Sequence, residues 1–327
     1  MAKIVAAAGT SHSPMLGMEP ATMWRLRAHY DRLNAELRDT DGVLRSYAEL
    51  AERAGDRYLG ELDQEVWDRK YAQAWRDIDR LTADLAGLDL DALIIVGDDQ
   101  EELFSRQNLP SIAVYHGEQM ATGHPVDMGL GPQIIEVQRN LGMDGGTYRC
   151  ASVLGRYLIE SLVGQGFDVT SSESTPDGSG FGHAFAWVSG RLLRQHPVPA
   201  VPVLLNTYFK PNQPTPSRCY DLGVALHKAV ESSPSDARVG IIASGGLSHY
   251  VVDVELDQAL LAAMSDHDAE ALRGTPSHRL DSGTSEIRNW ITAAGAGAHL
   301  PARWVDYLPT YRTPAGTGVG LAFGLWA

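Results

Sequence analysis

The sequence predicts an α/β fold in which a central, mostly buried sheet is flanked by helices. Two observations carry this: short apolar runs alternate with stretches of helical periodicity, and three of the runs end in polar loops. The runs are Lys3 to Gly9 (KIVAAAG), Ala92 to Gly97 (ALIIVG) and Arg238 to Ala243 (RVGIIA). They lead into Thr10-Ser11-His12-Ser13-Pro14, Asp98-Asp99-Gln100-Glu101-Glu102 and Ser244-Gly245-Gly246-Leu247-Ser248-His249. In open α/β sheets ligands lie beyond the carboxyl ends of the strands, where loops converge and backbone groups are unpaired. A site is therefore expected on these loops.

The remaining elements follow in order. Between the first two strands, residues 20–88 are rich in Arg, Glu, Asp, Leu and Ala, and Leu44, Tyr47, Leu50 and Ala51 recur at helical spacing. The stretch reads as two or three amphipathic helices, a helical insertion within a single domain spanning 1–327, and as a lid or dimer surface. Trp24, Trp67 and Trp75 on it read as packing residues. Ser111 to Tyr115 is a strand, Pro125 to Pro132 a loop, Arg149 to Gly164 a helix and Phe167 to Ser171 a short strand. Ala200 to Leu205 is another strand, Asp221 to Ser232 a helix, and the apolar, glycine-rich tail Thr313 to Ala327 a closing buried strand.

Composition narrows the function classes. The chain has 327 residues, 44% hydrophobic and 21% charged, enough for a substantial core. A formal net charge of −14 without a Lys/Arg stripe argues against nucleic-acid binding. No apolar run approaches the roughly 20 residues that span a bilayer, and the amino terminus lacks a signal-peptide pattern, so the expectation is a cytoplasmic protein without a membrane partner. Cys150 and Cys219 form no CxxC pattern and read as ordinary thiols.

Several residues could do chemistry. His12, in a Ser-His-Ser-Pro turn after a strand, is equally a hydrogen-bonded turn residue or a metal ligand. His183 sits in Gly178-Ser179-Gly180-Phe181-Gly182-His183-Ala184-Phe185, where it is either a packed histidine or an acid/base group in a poorly solvated pocket. His249 carries the same ambiguity. Glu286, in Ser285-Glu286-Ile287-Arg288-Asn289-Trp290, is either a helix-initiating glutamate or, sharing a helical face with Trp290, an inward carboxylate that needs a cation. Phosphate-loop, dinucleotide and Gly-x-Ser-x-Gly patterns are absent.

Taken together, the SHSP turn at His12, the Asp98-Asp99 loop, the GFGHAFAWV segment at His183, ASGGLSH at His249 and the late Glu286-x-x-x-Trp290 resemble the class III extradiol dioxygenases over most of the chain. The resemblance implies a non-haem Fe(II) ion held by two histidines and a glutamate, with positions open for a catechol-type diol and O2. It makes His12 and Glu286 metal ligands and His183 the acid/base residue; His124 and His249 are the candidates for holding the substrate's oxygens. It further implies ring cleavage next to the paired hydroxyls, and the lack of a small partner subunit's helices suggests a homo-oligomer.

One position departs from the family pattern. Where Asp-His is usual after the second strand, this chain has Asp98-Asp99-Gln100, so Gln100 takes the place of the second histidine ligand. Glu101 or Glu102 could substitute for it, and His116 or His124 could supply nitrogen. Three readings follow: an Fe(II) dioxygenase using Gln100, a site for another divalent metal, or a pocket kept for binding without oxygenase activity. A metal-dependent hydrolase on the same fold is a further alternative.

Overall fold

The computed structural model describes residues 1–126, 131–176 and 178–327, so the expected Pro125–Pro132 loop lies partly outside the described residues. The described strands are β1 (Lys3–Thr10), β2 (Ala92–Asp98), β3 (Ile112–Tyr115), β4 (Gln119–Ala121), β5 (Thr147–Arg149), β6 (Thr170–Ser172), β7 (Ala200–Leu205), β8 (Arg238–Ser244), β9 (His249–Val251), β10 (Ala302–Tyr311) and β11 (Thr317–Trp326). The helices are α1 (Pro20–Asp31), α2 (Tyr47–Ala54), α3 (Gln64–Ala86), α4 (Pro132–Asn140), α5 (Ser152–Gly164), α6 (His183–Ala186), α7 (Pro216–Ser232), α8 (Val254–Ser265), α9 (Ala269–Arg273) and α10 (Ile287–Ala296). The fold is the expected α/β architecture.

One sheet runs in the order β10-β11-β1-β8-β2-β7-β3-β6, with β9 also paired to β11. Its middle strands β1, β8, β2 and β7 are mutually parallel, and β11 joins β1 antiparallel. Parallel strands buried on both faces need continuous apolar runs, which is what the sequence supplies there. Successive side chains of β2 feed opposite cores: Ile94 and Val96 pack with α5, α7 and α10, while Leu93 and Ile95 pack with α1, α3, α4 and α6. The parallel register also brings the strand ends together. Thr10 of β1 pairs with Ser244 of β8, and Val96 of β2 pairs with Ala243, so the loops after all three strands leave from one edge.

The stretch 20–88 forms three helices, as its periodicity predicts. They are part of the main packing: α3 buries Trp67, Ala74, Ile78, Leu81 and Leu85 toward the sheet, and the Trp67 indole donates to Tyr311 O at 2.9 Å. Trp24 is fully buried and donates to Met15 O at 3.0 Å. Leu44, by contrast, sits exposed in an isolated bridge outside the helices.

Elsewhere the boundaries shift for local reasons. The helix expected from Asp221 begins at Pro216, because Pro takes the first turn and Thr215 caps it through Arg218 N–H at 3.2 Å. The strand expected at Phe167–Ser171 forms at Thr170–Ser172. The tail strand gains a partner that the sequence reading lacked, β10, whose Pro309 is tolerated because β10 ends the sheet order. No helix among the described residues is long and apolar enough to cross a membrane.

A buried ion pair ties α1 to the β10–β11 hairpin. Asp31 accepts from Arg312 Nε at 2.7 Å and Nη2 at 3.0 Å, and from the Thr317 hydroxyl at 2.6 Å. Both charged residues are almost fully buried. Asp31→Ala leaves a buried guanidinium unpaired and is expected to cost about 3–5 kcal/mol, read as a lower urea midpoint at unchanged slope.

Candidate functional site

The common edge of β1, β2 and β8 carries a buried group of ionisable side chains. His12, Asp98, His183 and Glu286 each offer one ligand atom, and those atoms lie within 4.8 Å of one another. His12 follows β1, Asp98 ends β2, His183 opens α6 and Glu286 ends the tight turn leading into α10.

The hydrogen bonds fix what each side chain has left to offer. Ser244 Oγ donates to Ala184 O at 2.6 Å, so its one proton is used, and the oxygen accepts from His12 Nδ1 at 2.9 Å. His12 is thereby held with its proton on Nδ1, and Nε2 turns a free lone pair toward Glu286 Oε2 at 3.5 Å. Glu286 Oε2 is anchored by the Gly246 N–H at 2.6 Å. Asp98 Oδ2 accepts from the Gln100 side-chain amide at 2.9 Å. His12 Nε2 and Asp98 Oδ1 are left buried without a hydrogen-bond partner among the described residues.

Such orphaned atoms are costly unless something binds them. Two imidazoles and two carboxylates form a donor set suited to a divalent cation, and the excess negative charge calls for one. The group therefore fits a metal ion. Burial, and secondly the neighbouring His183, lower the His12 pKa to about 3, so its lone pair stays available. Burial and then Glu286 raise Asp98 to about 6.

The loop after β2 divides its labour residue by residue. Asp98 enters the group, and Asp99 accepts from the backbone N–H groups of Leu103 and Phe104 at 2.9 and 3.0 Å, which closes the turn. Gln100 orients Asp98 from behind, while its own N–H donates to Glu102 Oε2 at 2.6 Å. Glu101 faces Arg106 at the surface. Glu102 returns to His183, its Oε1 2.6 Å from Nδ1. A β-carbon at Gly182 would lie 2.2 Å from Glu102 Cδ, so the glycine before His183 makes room for this carboxylate.

His183 and Glu102 form the accessible side of the site, each with a side chain 20% exposed against 3% for His12. Burial opposes charge on His183, but Glu102, by its charge and its hydrogen bond, overrides it and raises the pKa to about 10. The His183 ring meets His12 edge-on at 4.7 Å between centroids.

The other sequence candidates are placed unequally. His249 packs against Gly246 and Gly283, and its Nδ1 lies 2.8 Å from Leu247 O. A carbonyl only accepts, so Nδ1 carries the proton and Nε2 is left as an acceptor. Burial lowers its pKa, and Glu286 is the charge that most opposes this. His124 is exposed, with its ring against Gly145. Its segment runs beside Phe181, since Gly123 N–H donates to Phe181 O at 2.9 Å, but His124 is not in the buried group. Asp98 was not among the expected site residues, and Glu102 was considered only as a substitute metal ligand for Gln100, not as the partner of His183. The signal for both was the density of acids directly after a buried strand.

A family model described as the catalytic LigB subunit of aromatic ring-opening dioxygenase matches residues 63–322 of this chain. The chain is also similar to a gallate dioxygenase of Pseudomonas putida, 38% identical over 102 residues, which is 31% of this chain and 29% of that protein. Under a third of that relative's length is thus covered by the likeness.

The His183–Glu102 pair has a pH signature in metal-free protein. Because the folded pKa lies above the ordinary 6.5, the contribution of His183 to stability is full below pH 6.5 for as long as Glu102 stays ionised, and fades as pH rises through about 10. By NMR the His183 imidazole is expected to stay protonated well past neutrality in wild type. In Glu102→Gln it should titrate near or below 6.5, and the stability gap between the two proteins should narrow between pH 6 and pH 10.

Proposed function

The chain belongs to the family of catalytic LigB subunits of aromatic ring-opening dioxygenases, and on that premise we propose that it is an extradiol dioxygenase, cleaving a catechol-type ring with O2 beside the paired hydroxyls. The observation that carries this reading is the pair of orphaned donors, His12 Nε2 and Asp98 Oδ1, facing Glu286 next to an acid/base couple. The ligand set proposed is His12, Asp98 and Glu286, with Gln100 acting through Asp98. Fe(II) is the ion proposed, and Mn(II) is the alternative that a second carboxylate favours. When bound, the ion would supply a Lewis acid for the diol oxygens and a route for charge between ring and O2.

The protein's own residues then have separable tasks. His183 is bound to Glu102 through Nδ1, so Nε2 is the atom that faces the substrate. It holds a proton in the metal-free protein, would give that proton up under the charge of a bound cation so as to take one from a substrate hydroxyl, and returns it as the ring opens. Glu102 holds the ring's direction and strengthens it as a base. His249, neutral and with Nε2 free, accepts a hydrogen bond from a substrate oxygen, and burial of His12, Asp98 and Glu286 keeps bulk water from the reacting atoms. His124, at the rim beside the His183 segment, is proposed to contact substrate from outside. The assembly is proposed to be a cytoplasmic homo-oligomer.

Adding catechol-type acids to anaerobically iron-loaded protein and then admitting air should produce O2 uptake and a yellow ring-opened product. Absence of both across a broad panel would reject the activity, and turnover without oxygen would point to a hydrolase. His12→Ala, Asp98→Ala and Glu286→Ala should each reduce bound metal to background, while Gln100→Ala should weaken metal binding about 10- to 100-fold. His183→Ala should retain metal and lose about 10²- to 10⁴-fold in kcat.

A further inference from the structure

Behind the helical segment that carries His183 lies a cleft lined by cations and by no carboxylate. It measures about 530 Å³ and sits between α3, the end of α4 and the π-helical turn Trp187–Leu192 that continues α6. Tyr71 and Trp75 come from α3, Arg139 and Asn140 from the end of α4, and Arg191 and Arg194 from the turn and the residues after it. Three guanidiniums thus line one cleft on a chain whose formal net charge is −14.

None of the three donates a hydrogen bond to a carboxylate among the described residues. Arg191 lies over the Trp75 ring, 4.6 Å from its centroid, and has no ion-pair partner there. Arg139 approaches Glu136 only to 3.9 Å and Arg194 approaches Asp144 only to 3.5 Å, with both arginines more than half exposed. Pairs of this kind contribute little in water and leave the guanidinium free to take a better partner. The Trp75 indole N–H is buried and likewise has no hydrogen-bond partner among the described residues. Asn140 Nδ2 donates to Gly17 O at 2.8 Å, which holds the end of α4 against the turn that follows His12.

The donors select the ligand. A guanidinium presents its N–H groups as a planar fork that fits the oxygens of a carboxylate or a phosphate. Three such forks around one cleft favour a group with more than one negative charge, which a phosphate carries at neutral pH and a single carboxylate does not. The volume falls in the range of small-molecule sites, about 300–1,000 Å³, and leaves room for more than a bare ion.

The cleft is joined to the buried group through one continuous segment. His183 opens α6, and α6 runs directly into the turn that holds Arg191. Leu193 N–H donates to Val188 O at 2.9 Å, the wide π-type bond that is rare in helices and recurs at functional sites. Trp187, the first residue of the turn, meets Trp75 edge-on at 6.3 Å between centroids. Its indole donates to Thr10 Oγ1 at 3.0 Å, at the end of the strand that delivers His12.

We propose that this cleft is an effector site for a phosphate dianion, free or carried as an ester by a small molecule, and that its occupant acts on His183 through the turn that holds Arg191. Calorimetry on metal-loaded protein freed of excess metal compares inorganic phosphate with phenyl phosphate, each against sodium chloride at matched ionic strength. Both phosphates should give saturable heats that chloride does not. Arg191→Gln and Arg194→Gln should each weaken binding about 10- to 100-fold, and Arg191→Lys should recover part of the loss, because it keeps the charge without the fork. Tighter binding of phenyl phosphate assigns the cleft to an ester, and equal binding assigns it to the free ion. In metal-free protein, phosphate that saturates wild type should shift the His183 imidazole resonances, and at the same concentration should leave them in place in Arg191→Gln. Absence of saturable binding, affinities unchanged in both glutamine variants, or His183 resonances that do not respond in wild type would overturn the assignment. None of these readouts requires ring cleavage to occur.

Discussion

The ring of Trp290 rests on Gly9, and that contact sets the spacing of the whole site. A β-carbon at Gly9 would lie 2.1 Å from Trp290 Cζ3, so no larger residue fits without moving α10. Gly9 pairs with Ala243 on one side and Gly324 on the other, in the middle of the sheet. From this seat α10 reads the loop after β8 one residue at a time: Asn289 donates to Ser244 O at 3.0 Å, Trp290 to Gly245 O at 2.8 Å, and Glu286 accepts from Gly246 N–H at 2.6 Å. Glu286 thus meets His12 because a helix is clamped to a strand end. The approach of backbone to indole is the cause, and the pairing of ligands is its result.

Burial of so many charges would be prohibitive if they behaved alike, and they do not. Burial dominates at His12 and Asp98, pushing the first down and the second up, so both favour their neutral forms. At His183 and Glu102 the partner wins over burial: the imidazole is raised and the carboxyl held below its usual range. Neighbouring groups whose affinities for protons are driven apart are the arrangement acid/base chemistry needs. The site therefore separates into a half with free donor atoms and a half that holds a proton.

Much of this was legible in the sequence, and what was not depended on the path of the chain in the loops. Strand ends could be read because parallel, doubly buried strands leave continuous apolar runs, and those runs delivered His12 and the His249 loop. The Glu286-x-x-x-Trp290 spacing placed both side chains on one helical face, and both indeed bind the loop after β8. The Asp98–Glu102 loop was harder. Its five residues are similar in chemistry, and which of them points inward depends on where β2 ends and how the turn closes. Asp98 is still within the strand, and Asp99 is spent on the turn, so Gln100 falls one step behind the position that the family pattern suggested. His124 was a matter of chain path: its segment runs alongside Phe181, and its ring finishes at the surface. Strand β10 was missed because its partner, not its own pattern, makes it a strand.

The proposed use of Asp98 in place of an imidazole also changes the charge of the group, because a neutral donor gives way to one that is anionic when ionised. In the metal-free site burial, and then Glu286, raise Asp98, while Glu102 lets His183 keep its proton. A cation favours the ionised carboxylates and opposes the proton on His183, and the group stays less positive overall than a two-histidine set would leave it. An anionic substrate then gains less attraction at the metal end of the pocket.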